Sequence, residues 1–315
     1  MPRQQPENFI CVTEVGPRDG LQSETEFIPT DVKVEWINEL IDAGVPKIEF
    51  SSFVSPQAVP QMQDAAEIMA RSKSSDDTIM SALVPNVHGA INAVEAGVDE
   101  MVVFLSASES HNVKNVNRTT AESLAGFQDI ARIAAEAGIP IHGAIATALG
   151  CPFEGDVPAK RLIDIAMHYR DMGFIGIGFG DTTGMATPPV VERAVNAVRD
   201  AVPELPISLH FHNTRGIGLV NVMKGLELGV TNYESSFAGL GGCPFAPGAS
   251  GNICTEDLIY LLQEMGYETR INLSALCALA CKIERYMRRD LPGQVMKAGP
   301  RLRAYGMDEV QTAVG

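Results

Sequence analysis

The chain reads as an α/β protein, a (β/α)8 TIM barrel with an extra C-terminal helical segment. Three observations predict this. Eight short apolar runs recur along the sequence, separated by stretches of helical character. Several of these runs are apolar nearly throughout rather than alternating, as parallel strands covered on both faces are. Glycine also stands just before the next run again and again, at Gly44, Gly97, Gly138, Gly173 and Gly229, where a helix end favours a left-handed residue. The competing arrangement is an open doubly wound sheet. It would carry a glycine fingerprint after its first strand, where this chain has EVGPRDG rather than GxGxxG.

The first strand is expected in FICVTEVG from Phe9, followed by the helix TDVKVEWINELIDAG, Thr30–Gly44, which opens on a capping residue and closes on glycine. The next three strands are KIEFSSF from Lys47, TIMSALV from Thr78 and EMVVFLSAS from Glu100. A second amphipathic stretch, Thr120–Gly138, precedes IPIHGAIAT from Ile139. The sixth strand, FIGIGFGDT from Phe174, leads to the helix Pro188–Val202, and PISLHFHN from Pro206 and NYESSFAGLG from Asn232 complete the set. Asn272–Arg289 is helical but outside the repeat, and the remainder from Asp290 has Pro, Gly and no clear period. The expected organisation is one catalytic barrel with its C-terminal helix over residues 1–289 and a tail or lid-like extension over 290–315.

Composition narrows the function classes. With 45% apolar and 20% charged residues among 315, the chain is ordinary for a globular protein with a large core. A net charge of −15 disfavours nucleic acid and anionic membranes as partners. No apolar run is long enough to span a bilayer, and MPRQQPENFICV lacks the pattern of a secretory signal. The six cysteines form no CxxC pair, so a zinc knuckle is not expected, and a reducing cytoplasm is the default location.

The chemistry-bearing residues gather at the C-terminal ends of the strands, where barrels place their sites. His210 and His212 stand two apart in a strand and therefore share a face. Two imidazoles converging on one place point to a metal, against the plainer reading of two packed histidines. Arg18 and Asp19 end the first strand, Glu49, Ser51 and Ser52 the second, and Asp181 and Thr182 the sixth. Asp19 with the two histidines makes a mixed oxygen–nitrogen donor set suited to Mg2+ or another divalent first-row ion, and Asn252 would add a carbonyl oxygen. Taken singly, Asp19 reads as a salt-bridge or turn residue of PRDG, and Glu49 as a partner for Arg18. Beside a metal, Arg18 becomes a permanent cation aimed at developing negative charge. The glycine-dense segment GLGGCPFAPGASGN, 239–252, carries Cys243 on backbone built to bend, where a thiol would serve as an acid; Cys151 is a rival without such a loop.

Together EVGPRDGLQ, SFVSP…VPQMQD, ALGCPFEG, GDTTGMATP and AGLGGCPFAPGASGN resemble the hydroxymethylglutaryl-CoA lyase family, in order from about Val12 to Leu262. That family belongs to a wider group of metal-dependent barrels that includes the isopropylmalate and homocitrate synthases. The resemblance implies retro-Claisen cleavage of 3-hydroxy-3-methylglutaryl-CoA to acetyl-CoA and acetoacetate, an acyl-CoA substrate and a homodimer or higher oligomer. By motif it implies Asp19, His210, His212 and Asn252 as ligands of a divalent cation, Mg2+ or Mn2+. It makes Arg18 the residue that steadies the enolate and Cys243 the loop acid, with Glu49 and Glu256 associated with the site. Substrate contacts are expected from Arg18, Ser52, Asp181, Thr182 and Glu256. His210 is the first candidate for the base that takes the hydroxyl proton, with a water on the metal or Glu49 behind it. Asn112–Asn117, NVKNVN, is a hypothetical contact for phosphate or pantetheine. Where these lyases usually carry Asp-Thr after the second histidine, this chain has Asn213-Thr214-Arg215, which leaves citramalyl-CoA or a related 3-hydroxyacyl-CoA as an alternative substrate. An acetyl-CoA-dependent Claisen synthase is a further alternative.

Overall fold

In a computed structural model, which describes residues 6–242 and 251–304, eight parallel strands close into a barrel in sequential order. They are β1 (Cys11–Glu14), β2 (Lys47–Ser52), β3 (Ile79–Leu83), β4 (Glu100–Ser106), β5 (Ile141–Ala146), β6 (Ile177–Gly180), β7 (Ile207–His210) and β8 (Asn232–Ser235). The barrel closes where Cys11–Glu14 pairs in register with Asn232–Ser235. Its outer ring comprises α1 (Thr30–Asp42), α2 (Ala65–Arg71), α3 (Val87–Ala96), α4 (Glu109–Val116), α5 (Thr120–Ala137), α6 (Ala159–Asp171), α7 (Pro188–Ala201), α8 (Gly218–Glu227) and α9 (Thr255–Glu264). After these come α10 (Leu273–Met287) and the short α11 (Val295–Ala298). Among the described residues no helix is long and apolar enough to cross a membrane.

The five glycines read as helix ends all have positive φ, between 70° and 84°, a conformation in which a Cβ is strained. The helix starts differ more from expectation. Thr30 does not cap α1. Pro29 holds that position, and the Thr30 hydroxyl donates to Asp64 instead. α5 begins with a reciprocal capping box made by Thr119 and Glu122, one residue earlier than the sequence pattern places it.

The main core lies between strands and helices. Trp36 of α1 meets Phe237 and Tyr286 edge-on, at ring separations of 6.1 and 5.2 Å, which fastens α10 to the end of β8. Beyond α10 the chain keeps contact with the barrel, because Leu291, Val295 and Met296 are buried. The Asp257 carboxylate accepts from the backbone N–H groups of Gln294 and Val295, a local capping arrangement that a sequence without helical period did not reveal.

The barrel interior is more polar than the strand pattern foretells. Lys47 of β2 pairs with Glu100 of β4, and His142 of β5 lies 3.2 Å from the Ser208 hydroxyl of β7. A Cβ on the intervening Gly178 would approach both His142 and Ser208.

Candidate metal centre and active site

Arg18 and Asp19 owe their position to the tight turn Gly16–Gly20, in which the backbone N–H groups of both point to the Val15 carbonyl at 3.1 and 2.7 Å. Glu14 sets the turn from behind. Its carboxylate accepts from the N–H of Gly16 and of Phe237 at 2.7 and 2.9 Å, and from the Thr255 hydroxyl at 2.6 Å. Burial nevertheless pushes Glu14 up to about 7. Arg18 Nε donates to Glu49 of β2, and its Nη1 to Asp19 at 2.6 Å. Both plain readings of these residues are therefore true as well: Asp19 and Glu49 each pair with Arg18.

The histidines arrive from β7 and its extension. His212 forms an isolated antiparallel bridge with Asn252, and the Asn213 N–H donates to Gly251. This pairing seats Asn252 beside the rim, where its amide donates to Asp19 at 2.8 Å and to the Leu240 carbonyl at 3.0 Å. Beside the bridge two glycines come together. Gly241 and Gly251 have φ of +108° and +89°, and a Cβ on Gly251 would collide with the Gly241 carbonyl.

Asp19, His210 and His212 present ligand atoms within 4.8 Å of one another, a group that can hold a metal ion. The two Nε2 atoms are 3.1 Å apart, and His210 Nε2 is 4.0 Å from Asp19. The Asn252 Oδ1 atom is buried with no hydrogen-bond partner among the described residues. A buried acceptor left without a donor is costly, and a cation on the neighbouring carboxylate and imidazoles would satisfy it. The donor set thus fits a divalent ion. Burial alone would raise Asp19, but Arg18 and then the two imidazoles hold it well below the usual carboxylate range. Burial also opposes charge on both rings. His210 nonetheless rises because of Glu234, whereas His212, beside His210, falls to about 4.

Other expected site residues are placed less uniformly. Asp181 uses Oδ1 to accept from Met185 and Ala186 N–H at 2.7 and 2.9 Å, while its Oδ2 is buried without a partner among the described residues. Burial pushes its carboxyl up to about 7. The Thr182 hydroxyl accepts from Thr147 N–H, tying the end of β6 to that of β5. Ser52 is not drawn into the Asp19–histidine network; it lines a groove with Met62, Ala66 and Ala96. Glu256 is fully buried and accepts from Ala238 N–H at 3.0 Å, so it braces the turn after β8, and its Oε1 is buried without a hydrogen-bond partner among the described residues. Asn112 is likewise structural, because its side chain joins Ser106, Arg118 and Ser123. Asn213 caps the approach to α8 by accepting from Gly218 N–H. Cys243 lies outside the described residues. Sequence reasoning missed Glu234, which sits opposite His210 in the β7–β8 register. The available signal was a carboxylate inside a strand run that otherwise reads as structural.

Glu256 provides a stability test. Burial raises its carboxyl from the ordinary 4.5 to about 8, so between those values the folded chain holds a proton that the unfolded chain has released. Its favourable contribution is complete below about pH 4.5 and disappears as pH rises through 8. Denaturant titrations of metal-free wild type should show stability declining across this window, by about 1.4 kcal/mol per pH unit at most from this group. Glu256→Gln should flatten that decline; an unchanged slope would refute the assignment.

A closed parallel barrel with a carboxylate and two imidazoles converging at one rim defines the class as a (β/α)8 barrel whose rim carries a group able to hold a metal ion. The HMGL-like family model matches residues 10–283, and the chain belongs to that family. It is 41% identical over 285 residues to hydroxymethylglutaryl-CoA lyase YngG of Bacillus subtilis, covering 90% of this chain and 95% of that protein. The mitochondrial hydroxymethylglutaryl-CoA lyase of Bos taurus is 40% identical over 293 residues, covering 93% and 90% respectively. Among solved structures, an HMG-CoA lyase from Acinetobacter baumannii in complex with coenzyme A and 3-methylmalate aligns with TM-score 0.91 and 42% identity, covering 96% of this chain and 99% of that one. The carboxyl transferase domain of Rhizobium etli pyruvate carboxylase, at 16% identity and TM-score 0.68, shares the fold.

Proposed function

We propose that this protein is a divalent-metal-dependent carbon–carbon lyase that cleaves 3-hydroxy-3-methylglutaryl-CoA to acetyl-CoA and acetoacetate. One observation carries the proposal: Arg18, Asp19, His210, His212 and Asn252 converge at one rim of a chain 41% identical to a hydroxymethylglutaryl-CoA lyase over 285 residues. The coenzyme A named in the Acinetobacter complex supports an acyl-CoA as the substrate class.

Asp19, His210, His212 and the Asn252 Oδ1 atom would hold Mg2+ or Mn2+. Such an ion supplies Lewis-acid polarisation of the substrate's oxygens, which eases loss of the hydroxyl proton. Cleavage breaks the C2–C3 bond. C3 becomes the ketone carbon of acetoacetate, and the bonding pair passes into the enolate of the acetyl thioester. Arg18 supplies a permanent positive charge for that enolate, held in place by Glu49 and Asp19. Cys243 then delivers a proton to C2. Gly241 and Gly251, which flank it in the sequence, lie against each other.

The base requires a choice. His210 has Nδ1 on Glu234 and Nε2 facing Asp19 and His212, so a seated ion leaves it no nitrogen for proton transfer. We assign the hydroxyl proton to Glu49, a buried carboxyl that desolvation keeps above its ordinary value despite Arg18.

The test is release of acetyl-CoA by the purified chain with Mg2+ or Mn2+, offered 3-hydroxy-3-methylglutaryl-CoA and citramalyl-CoA in parallel. Rapid release from the first, abolished by EDTA and restored by added metal, is the expected result. Release from citramalyl-CoA alone would move the substrate assignment, and insensitivity to EDTA would remove the metal from the mechanism.

A further inference from the structure

Glu234 is one of the barrel-interior groups that the proposed chemistry does not use, and the one that touches His210. It lies on β8 opposite His210 in the parallel register, with its Oε2 atom 2.9 Å from His210 Nδ1. The geometry points to a positioning role: Glu234 accepts the Nδ1–H of His210 and thereby fixes the tautomer and ring angle that turn Nε2 toward Asp19 and His212. This inference rests on the metal-dependent reading of the site.

The argument is one of donor accounting. A neutral imidazole has one N–H and one lone pair, and whichever nitrogen carries the hydrogen cannot bind a cation. A carboxylate at Nδ1 only accepts, so it places the hydrogen on Nδ1 and the lone pair on Nε2. Nε2 is the atom that stands 3.1 Å from His212 Nε2 and 4.0 Å from Asp19. His212 has no such partner, since its Nδ1 is buried without a hydrogen bond among the described residues. Of the two rings, His210 is therefore the one whose orientation the protein sets through a carboxylate. Asp19 and Glu49 cannot substitute for Glu234, because both are tied to Arg18. Outer-shell partners of this kind typically change metal affinity by about ten- to hundredfold when removed.

The experiment uses the full chain, stripped of metal and titrated with Mn2+ while the free ion is followed by electron paramagnetic resonance. Glu234→Gln keeps the shape and removes the charge, and Glu234→Met removes the acceptor at similar volume. Glu234→Met is expected to bind Mn2+ about ten- to hundredfold more weakly than wild type, and Glu234→Gln, whose amide oxygen can still accept from Nδ1, to fall between the two. Melting temperatures in EDTA should stay close to wild type, and turnover should recover as Mn2+ is raised. A purely structural role would lower the EDTA melting temperature and leave the affinity of the folded fraction unchanged. Should Glu234→Met fail to fold, Glu234→Gln must still bind Mn2+ more than twofold more weakly than wild type, because its amide, unlike a carboxylate, can also donate and so no longer fixes the tautomer. His212→Ala serves as the reference for a destroyed site. If His212→Ala loses Mn2+ while a folded Glu234 variant binds within twofold of wild type, the role of Glu234 is overturned and the metal site stands. If folded wild type binds no Mn2+, the site and this assignment fall together.

Discussion

Asp19→Asn is expected to abolish tight Mn2+ binding and to lower turnover by about a thousandfold or more, beyond the ten- to hundredfold typical of outer-shell changes. The substitution keeps the side chain's size and removes its charge at the point where Arg18, His210, His212 and Asn252 meet. It also leaves one carboxamide facing another, since Asn252 already presents its NH2 to this position at 2.8 Å. The fold should persist, because Arg18 retains Glu49 and the turn is held by backbone bonds to Val15. Calorimetric titration with Mn2+, paired with a melting curve in EDTA, separates loss of the site from loss of the protein. A variant that folds, binds Mn2+ as wild type does and turns over within tenfold would remove Asp19 from the ligand set.

The barrel was legible because its signals are local and repeated. Apolar runs, helix stretches and glycines with positive φ each depend on neighbours a few residues away, and the strand starts fall close to the runs that announce them. The ends were less legible. NYESSFAGLG looks like one long strand, yet β8 stops at Ser235 and Ala238 adopts φ of 53°. What stops it is a pair of buried carboxylates, Glu14 and Glu256, which accept from the N–H groups of Phe237 and Ala238, and nothing in the run itself records them. The rim residues were legible for a different reason. Parallel strands in a barrel bring their C-terminal ends together, so Asp19, His210 and His212 could be grouped without knowing any distance. Glu256 and Ser52 fall apart from the Asp19–histidine group because motif position locates a residue along the chain and not on a face. Glu256 points behind the β8 turn, and Ser52 follows an irregularity in the β2–β3 register between Glu49 and Ser51. Glu234 escaped notice because its meaning comes from a partner on the adjacent strand. Only the β7–β8 register sets it against His210.

Arg18 offers the second large effect and a way to separate catalysis from folding. Arg18→Gln should lower kcat by about a hundred- to thousandfold, the range seen when one preorganised stabiliser of developing charge is removed, with a smaller change in KM. It should also destabilise the chain, because Glu49 is left buried beside no cation; breaking a buried pair from one side costs about 3–5 kcal/mol. These losses have different remedies. In the Arg18→Gln/Glu49→Gln double variant the Glu49 charge is gone and only Asp19, beside Asn252, is left without Arg18, so denaturant midpoints should return most of the way to wild type. Turnover should not return, since neither the cation nor the carboxylate assigned to the hydroxyl proton is present. Recovery of both stability and rate in the double variant would mean that Arg18 acts only by neutralising Glu49. Recovery of stability alone is the expected result, and it separates the folding cost of an unpaired Glu49 from the chemistry that Arg18 and Glu49 supply together.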